Sequence, residues 1–532
     1  MEVDNKSDRA HSFKSITQSI SNPSASSAII IAAFAGFGGI LFGYDTGSIS
    51  GILAMPSFIR QFSTEENPMT GMPYLKSTQT SLIVSILSAG TFVGCLSVSY
   101  LADKLGRRMA IMLACWIYTF GVILETTAQH IPVLVAGRFF AGFGVGLVSA
   151  LVPLYQSEAA PKWIRGSIVS GYQFAITLGI LVACIVNYLC KDIRGPYAYK
   201  ITLCIQFLWA SVLFGGMYFL PETPRWYVKV GKIDDARRSL ARLRNMSEDS
   251  ETIQQELLSI QASNDAEAAF GDSGWKDVFS KDRRQLFRLF TGCAIQALQQ
   301  LTGVNFIFYY GTTFFKSAGI QNSFVISMVT STVNVISTIP GLYLVEKLGR
   351  RSLLLLGAAG MLICEFLVAG LGLAVNSDTA NKCLIAFTCI YILFFACSWG
   401  PVAWVLVGEL YPLRTRAKSM ALAGASNWFL NWLIGFSTPF LVDAGPGNAN
   451  LQTNVFFIWA GFCTLCFIFT YFVVYETKGL SLEQIDELYQ TTPRPWRIPS
   501  TESQIELRAF PEISMTNSRP TDPKCNAHLL TG

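Results

Sequence analysis

The chain carries one charged motif twice. Asp103-Lys104-Leu105-Gly106-Arg107-Arg108 recurs 243 residues later as Glu346-Lys347-Leu348-Gly349-Arg350-Arg351. Glu158 precedes Arg165 by seven residues, and Glu409 precedes Arg416 by the same seven, 251 residues further on. Glu222, in Pro221-Glu222-Thr223-Pro224-Arg225, is echoed 254 residues later by Glu476, in Tyr475-Glu476-Thr477-Lys478-Gly479. The spacing is nearly half of the 532-residue chain. A duplication of this size in a mostly apolar sequence predicts two look-alike helical bundles with a site between them.

Hydrophobic residues make up 51% of the chain and charged residues only 14%. Long apolar runs with few charges read as membrane helices, each needing roughly 20 residues to cross the hydrocarbon. Twelve spans are expected, near 28–53, 80–101, 110–129, 132–154, 167–190, 200–220, 289–313, 323–345, 352–374, 383–408, 418–441 and 454–475. The predicted fold is an all-α membrane protein: twelve transmembrane helices in two pseudo-symmetric six-helix bundles, with linker helices on the cytoplasmic side. Residues 1–27 form a polar, disordered tail, 28–220 the first bundle, 221–288 the linker and 289–476 the second bundle. Residues 477–532 form a mostly disordered tail. The first apolar run is too long for a cleavable signal and reads as an uncleaved anchor.

Lysine and arginine set the orientation. With the N-terminus inside, cytoplasmic segments hold 32 of the 40, external loops hold 7, and Arg138 lies in a span. This asymmetry puts both termini in the cytoplasm. The thirteen cysteines lie mostly within apolar runs and read as small buried hydrophobes. The three histidines form no metal cluster, and no G-x-x-x-x-G-K-[ST] phosphate loop occurs. No nucleophile–base set points to an enzyme, no cofactor is implied, and nothing suggests nucleic acid as a partner.

Charges within spans are costly and therefore informative. Asp45 and Arg138 lie in different spans and read as a proton-coupling pair: protonating Asp45 releases Arg138. A static ion pair that only fixes helix packing is the competing reading. Glu125 reads as lying at a helix end near the membrane surface, and Glu365 as lacking a partner. The duplicated charges Asp103, Arg107, Arg108, Glu158, Arg165, Glu222, Glu346, Arg350, Arg351, Glu409, Arg416 and Glu476 fall on the cytoplasmic face. Exchangeable Arg–carboxylate pairs there are expected to latch the two halves in one state and release them in the other.

The third set is uncharged: Gln173, Gln299, Gln300, Asn305, Asn334, Trp404, Asn427 and Trp428. Amides offer donors and acceptors together, as sugar hydroxyls require. Indoles offer a flat face and an N–H. Amides also bond helices to one another, but adjacent Gln299 and Gln300 with Asn305 nearby tip the set toward a neutral, polyhydroxylated ligand.

These residues resemble the sugar porter branch of the major facilitator superfamily. The strings that carry the resemblance are Gly106-Arg107-Arg108, Arg138 through Gly146, Pro153 through Glu158, Pro221 through Arg225, Gln299 through Asn305 and Gly349-Arg350-Arg351. Phe42-Gly43-Tyr44-Asp45-Thr46-Gly47 and Glu476-Thr477-Lys478-Gly479-Leu480 are similar to fungal monosaccharide transporters. The resemblance covers about residues 28–490. It implies hexose contacts at Gln173, Gln299, Gln300, Asn305, Asn334, Trp404 and Asn427, with Phe37, Phe42 and Trp428 as additions. It also implies Asp45 as the protonation site of a proton-coupled member, with Arg138 as its partner. The resulting expectation is a monomeric plasma-membrane transporter of a hexose such as glucose, with the proton as coupling ion. A facilitative uniporter and a sugar-sensing receptor are the alternatives.

Overall fold

A computed structural model describes residues 30–31, 34–66, 71–160, 165–269, 275–281, 284–317, 322–373, 378–412, 415–445, 447–480, 482–491 and 495. Helices dominate it. The first bundle comprises α1 (Phe37–Ala54), α3 (Ser77–Leu105), α4 (Arg107–Thr127), α5 (Ile131–Ala159), α6 (Arg165–Cys190) and α7 (Tyr197–Phe219). A short helix α2 (Pro56–Phe62) and a two-residue hairpin, Glu65–Glu66 against Pro73–Tyr74, fill the loop after α1.

The second bundle has six spans, two of them broken. Helices α12 (Gln285–Leu301) and α13 (Val304–Ser317) form one, and α16 (Asp378–Cys397) and α17 (Trp399–Leu410) form another. The others are α14 (Ser323–Leu348), α15 (Arg350–Leu373), α18 (Arg416–Val442) and α19 (Val455–Val473). Among the described residues, nine helices are long and apolar enough to cross a membrane. The three expected spans outside that set are α1, α12–α13 and α18. They carry Asp45, the glutamine cluster and Asn427; α12 and α13 fall outside the set because the break leaves each of them short, at 17 and 14 residues.

Glycines set the helix spacing in the first bundle. Gly39, Gly43, Gly47 and Gly51 form a stripe on α1, four residues apart. A side chain at these positions would strike α6 at Tyr172, Ile176, Ile180 and Asn187. Small residues let membrane helices approach closely and gain van der Waals contact. The bundles meet where α3 packs on α18, α6 on α14 and α1 on α13. The first two contacts exchange under the pseudo-twofold that relates the halves.

Helices α8 (Pro224–Lys229), α9 (Ile233–Arg244), α10 (Glu251–Ala269) and α11 (Trp275–Val278) occupy the segment between the bundles. Helices α8, α9 and α10 share a small apolar core of Val228, Ala236, Leu240, Ile253 and Leu257. Trp226 Nε1 donates to the Asp103 carbonyl (3.0 Å), and Arg242 donates to the Phe219 carbonyl (2.6 Å). These bonds fasten the segment to the end of the first bundle that carries the arginine motif, called here the basic end.

One expectation needs correction. Much of the segment after 477 was expected to be disordered, yet Leu482–Thr491 forms helix α20. Ile485, Leu488 and Tyr489 recur on one face and are buried, and Arg288 pairs with Asp486 at 2.6 Å. Amphipathic spacing outweighs polar composition in this stretch. The tail expected over 1–27, and most of 492–532, lies outside the described residues.

Candidate functional site

The break between α12 and α13 organises the polar centre. Gly303 there has φ +85°, a left-handed conformation that glycine adopts without a Cβ clash. The Trp459 ring packs on it, and the Thr302 carbonyl freed by the break accepts from Tyr391 Oη (2.7 Å). Irregular backbone at membrane depth is tolerated where such partners satisfy it. Gln299 and Gln300 stand just before the break, and Asn305 just after it.

The amides bond to one another and to α18. Gln299 Nε2 donates to the carbonyls of Trp399 and Gly400, both at 3.0 Å. Asn427 Nδ2 donates to Gln296 Oε1 (2.7 Å) and Gln299 Oε1 (2.8 Å). Gln300 Nε2 donates to Asn427 Oδ1 (3.0 Å), and its Oε1 accepts from Asn305 and from Asn431 Nδ2 (3.1 Å). Asn431 Oδ1 also accepts from Tyr309 Oη (2.9 Å) and, from the other bundle, from Ser88 Oγ (2.6 Å). Each such bond contributes about 1 kcal/mol net, and an orphaned buried amide costs more than that. The Phe42 ring meets Trp428 edge-on, with centroids 5.4 Å apart, so an aromatic pair bridges the two bundles beside the amides.

Asn334 is buried on α14, where its carbonyl accepts from Thr338 Oγ1 (2.8 Å). Gln173 is half-buried on α6. Trp404 is 43% exposed on α17, in contrast to Trp428 at 3%, and none of the bonds in the amide network reaches it. Sequence reasoning missed Gln296, Asn431, Tyr309 and Ser88. Helical spacing holds the missing signal for two of them: Gln296 lies one turn before Gln299 and Gln300, and Asn431 one turn after Asn427. An apolar cleft lined by Val93, Trp116, Phe120 and Phe140 lies elsewhere, against α3–α5, and contains none of these amides.

A second polar centre is charged. Arg138 Nη1 lies 3.8 Å from Asp45 Oδ1, and Gln206 Nε2 donates to the same oxygen (3.3 Å). Asp45 and Arg138 thus lie side by side, and both are buried, at 0% and 1% exposure. Glu125 corrects the sequence reading. It is not at the membrane surface but fully buried, with Oε2 at 3.9 Å from the same Arg138 nitrogen. Close contact of α4 with α5 at Gly121 and Gly137 brings it there. Glu365 is buried on α15, and neither of its carboxylate oxygens has a hydrogen-bond partner in the described structure.

The duplicated charges form matched clusters at the basic end. Arg107 pairs with Glu158 (3.0 Å) and Asp103 (3.5 Å), while Arg350 pairs with Glu409 (2.8 Å) and Glu346 (3.2 Å). Glu222 accepts from the backbone N–H of Arg107 (3.1 Å), Arg108 (2.9 Å) and Thr223 (2.8 Å). Glu476 accepts from Arg350 (2.8 Å), Arg351 (3.1 Å) and Thr477 (3.1 Å). Burial pushes the Glu222 carboxyl above the usual carboxylate range, and the backbone donors with Arg107 pull it back. The Arg108 and Arg351 side chains donate to carbonyls of Met217 and Tyr471, and Arg416 to that of Gly408. The Arg165 side chain lies outside the described residues.

These pairs differ from the expected latch. Each described ion pair between two of the duplicated charges stays within one bundle, and Lys229 of the connecting segment adds a pair to Asp103 (2.9 Å). The described polar contacts between bundles lie at mid-depth or at the opposite, far end. They include Ser88–Asn431, Cys184–Ser331 (3.3 Å), Ser50–Thr312 (3.0 Å) and Ser77–Asp443 (3.2 Å). The reason is local: Glu222 and Glu476 follow the last span of their own bundle by a few residues and cap a helix N-terminus there, while Asp103, Glu158, Glu346 and Glu409 sit in the last turns of helices beside the arginine of the same bundle.

Residues 31–489 match the family model for sugar (and other) transporters. The chain is 54% identical over 473 residues to a major facilitator-type transporter of Aspergillus rugulosus, covering 87% of each chain. It is 47% identical to a probable glucose transporter of Neurospora crassa, covering 89% of this chain and 81% of that one. It is 41% identical to a high glucose sensor of Saccharomyces cerevisiae, over 91% of this chain and 64% of the sensor. Among solved structures it superposes on the proton:xylose symporter XylE bound to 6-bromo-6-deoxy-D-glucose with TM-score 0.71 and 25% identity, covering 87% of this chain and all of that one. Two repeated bundles, a carboxylate-capped arginine motif in each and an uncharged amide centre between them thus coincide with family membership: this chain belongs to the sugar transporter family, as a multi-pass membrane protein of the major facilitator fold and not an enzyme.

Proposed function

We propose that the protein carries a neutral monosaccharide, a hexose of the glucose type, across the membrane by alternating access coupled to proton entry. The observation that carries this reading is the amide network of Gln296, Gln299, Gln300, Asn305, Asn427 and Asn431, which joins α12, α13 and α18 at the bundle junction without a charged side chain. Amides that bond one another can exchange those bonds for sugar hydroxyls without stranding a charge. Phe42 and Trp428 supply apolar faces from the two bundles for the C–H side of the ring. Asp45 facing Arg138 supplies the protonatable pair. Proton binding at Asp45 weakens its hold on Arg138, and sugar binding draws the bundles together.

Gln173, Asn334 and Trp404 complete the proposed sugar-contacting set. The basic-end clusters hold each bundle rigid as it rocks. The protein is placed in the plasma membrane, where a sugar carrier meets external substrate; the lysine and arginine asymmetry supports both termini inside, and nothing in the mechanism requires more than a monomer. The test is uptake of radiolabelled glucose in cells lacking their own hexose carriers, at acid and neutral pH, with and without a protonophore. Faster uptake at acid pH and protonophore-sensitive accumulation are expected. Uptake that only equilibrates replaces symport with uniport, and binding without uptake replaces transport with sensing.

A further inference from the structure

Three helices converge on one guanidinium. Asp45 arrives from α1, Glu125 from α4 and Arg138 from α5, and all three are 0–1% exposed. Both carboxylates approach the same nitrogen, Nη1, at 3.8 and 3.9 Å. Asp45 Oδ2, both Glu125 oxygens and all three Arg138 nitrogens lack hydrogen-bond partners in the described structure. The surrounding groups do not balance the charge. Gln206 and Tyr118 are neutral, and the Tyr118 hydroxyl also lacks a partner. Tyr44 Oη is committed to the Thr202 carbonyl, Tyr309 Oη to Asn431 and Tyr310 Oη to the Gly435 carbonyl.

Two acids and one base in a sealed pocket carry one net negative charge when all are ionised. Uncompensated charge in a low-dielectric interior is strongly unfavourable. One bound proton cancels it. We propose that Glu125 is the second acid of the coupling site and shares with Asp45 the single proton that makes the sealed pocket neutral. The proton enters from one side onto a carboxylate oxygen and leaves to the other side when the pocket opens. The cluster then alternates between one-proton neutral and proton-free anionic forms. The proposal rests on the proton-coupled reading above and adds the residue that makes the proton obligatory. With Asp45 alone, the pair with Arg138 is already neutral and needs no proton to close.

The test compares wild type, Glu125→Gln and Glu125→Asp in carrier-deficient cells. Three readouts are used: accumulation of labelled glucose, the pH profile of uptake, and exchange of labelled for unlabelled sugar at equal concentrations. Glu125→Gln is expected to keep exchange, to lose accumulation so that inside and outside levels equalise, and to flatten the pH profile. Glu125→Asp restores a carboxyl and is expected to restore both accumulation and pH dependence. If Glu125→Gln fails to reach the membrane, Glu125→Asp carries the test: its side chain is one carbon shorter and stands farther from Arg138, so uptake that is pH-dependent with a displaced profile is expected, and a profile identical to wild type overturns the proposal. Equal accumulation and an equal pH profile in wild type and Glu125→Gln overturn the proposal alone. A wild type that never accumulates sugar overturns the coupled reading and this proposal with it.

Discussion

Glu222 and Glu476 do the same work 254 residues apart: each carboxylate caps the N-terminus of a helix by accepting from the backbone of two consecutive arginines, Arg107 and Arg108 or Arg350 and Arg351. The residue before each arginine pair is a glycine, Gly106 at φ +90° and Gly349 at φ +92°. A Cβ on Gly106 would collide with Glu222 Oε2, and one on Gly349 would lie 2.6 Å from Glu476 Oε2. The G-R-R repeat is thus a tight turn plus a helix cap, built twice. Gly106→Ala is expected to destabilise the protein by about 1–3 kcal/mol, from backbone strain and displacement of the carboxylate. Thermal melting of the detergent-solubilised protein measures it, and a melting temperature equal to wild type would contradict the capping account.

Gln300 makes four of the amide contacts, donating to Gln299 and Asn427 and accepting from Asn305 and Asn431. Gln300→Ala is expected to weaken apparent sugar affinity at least about tenfold, or ~1.4 kcal/mol. Trp428→Ala, which removes the aromatic contact to Phe42, is expected to cost more affinity than Trp404→Ala, because Trp404 is the exposed one of the two. Concentration-dependent uptake of labelled sugar gives all three numbers. Equal affinities across the set would remove the amide centre from the substrate path.

Asp45 is the acid that Gln206 also contacts, at 3.3 Å. Asp45→Asn keeps the shape and abolishes the titration. Concentrative uptake is expected to disappear while exchange at equal sugar persists. Persistent uphill accumulation in Asp45→Asn would take the coupling role away from this residue.

The far end closes through short polar contacts, including Ser50 Oγ to Thr312 Oγ1 at 3.0 Å. Alternating access requires this contact to part. A Ser50→Cys/Thr312→Cys protein is expected to lose uptake on mild oxidation and regain it on reduction, with either single variant unaffected by the same treatment. Oxidised double variant that transports at the wild-type rate would show that α1 and α13 need not separate there.

The sequence alone determined the repeat, the twelve spans and the membrane class, because burying apolar length in lipid leaves a one-dimensional trace that needs no tertiary information. It also marked Gln299, Gln300, Asn305 and Asn427 by their cost, since amides in hydrocarbon demand partners. The tertiary structure decided which groups meet. Glu125 reads in one dimension as a helix-end carboxylate, and only the glycine contact of α4 with α5 turns it onto Arg138. The arginine motifs read as a latch between halves, yet in this structure Glu222 and Glu476 cap helices of their own bundles, and Glu158 and Glu409 pair with the arginine of their own bundle. Charge and hydropathy are properties of the string, but the partner of a buried charge is set by which helices touch, and touching is decided by packing.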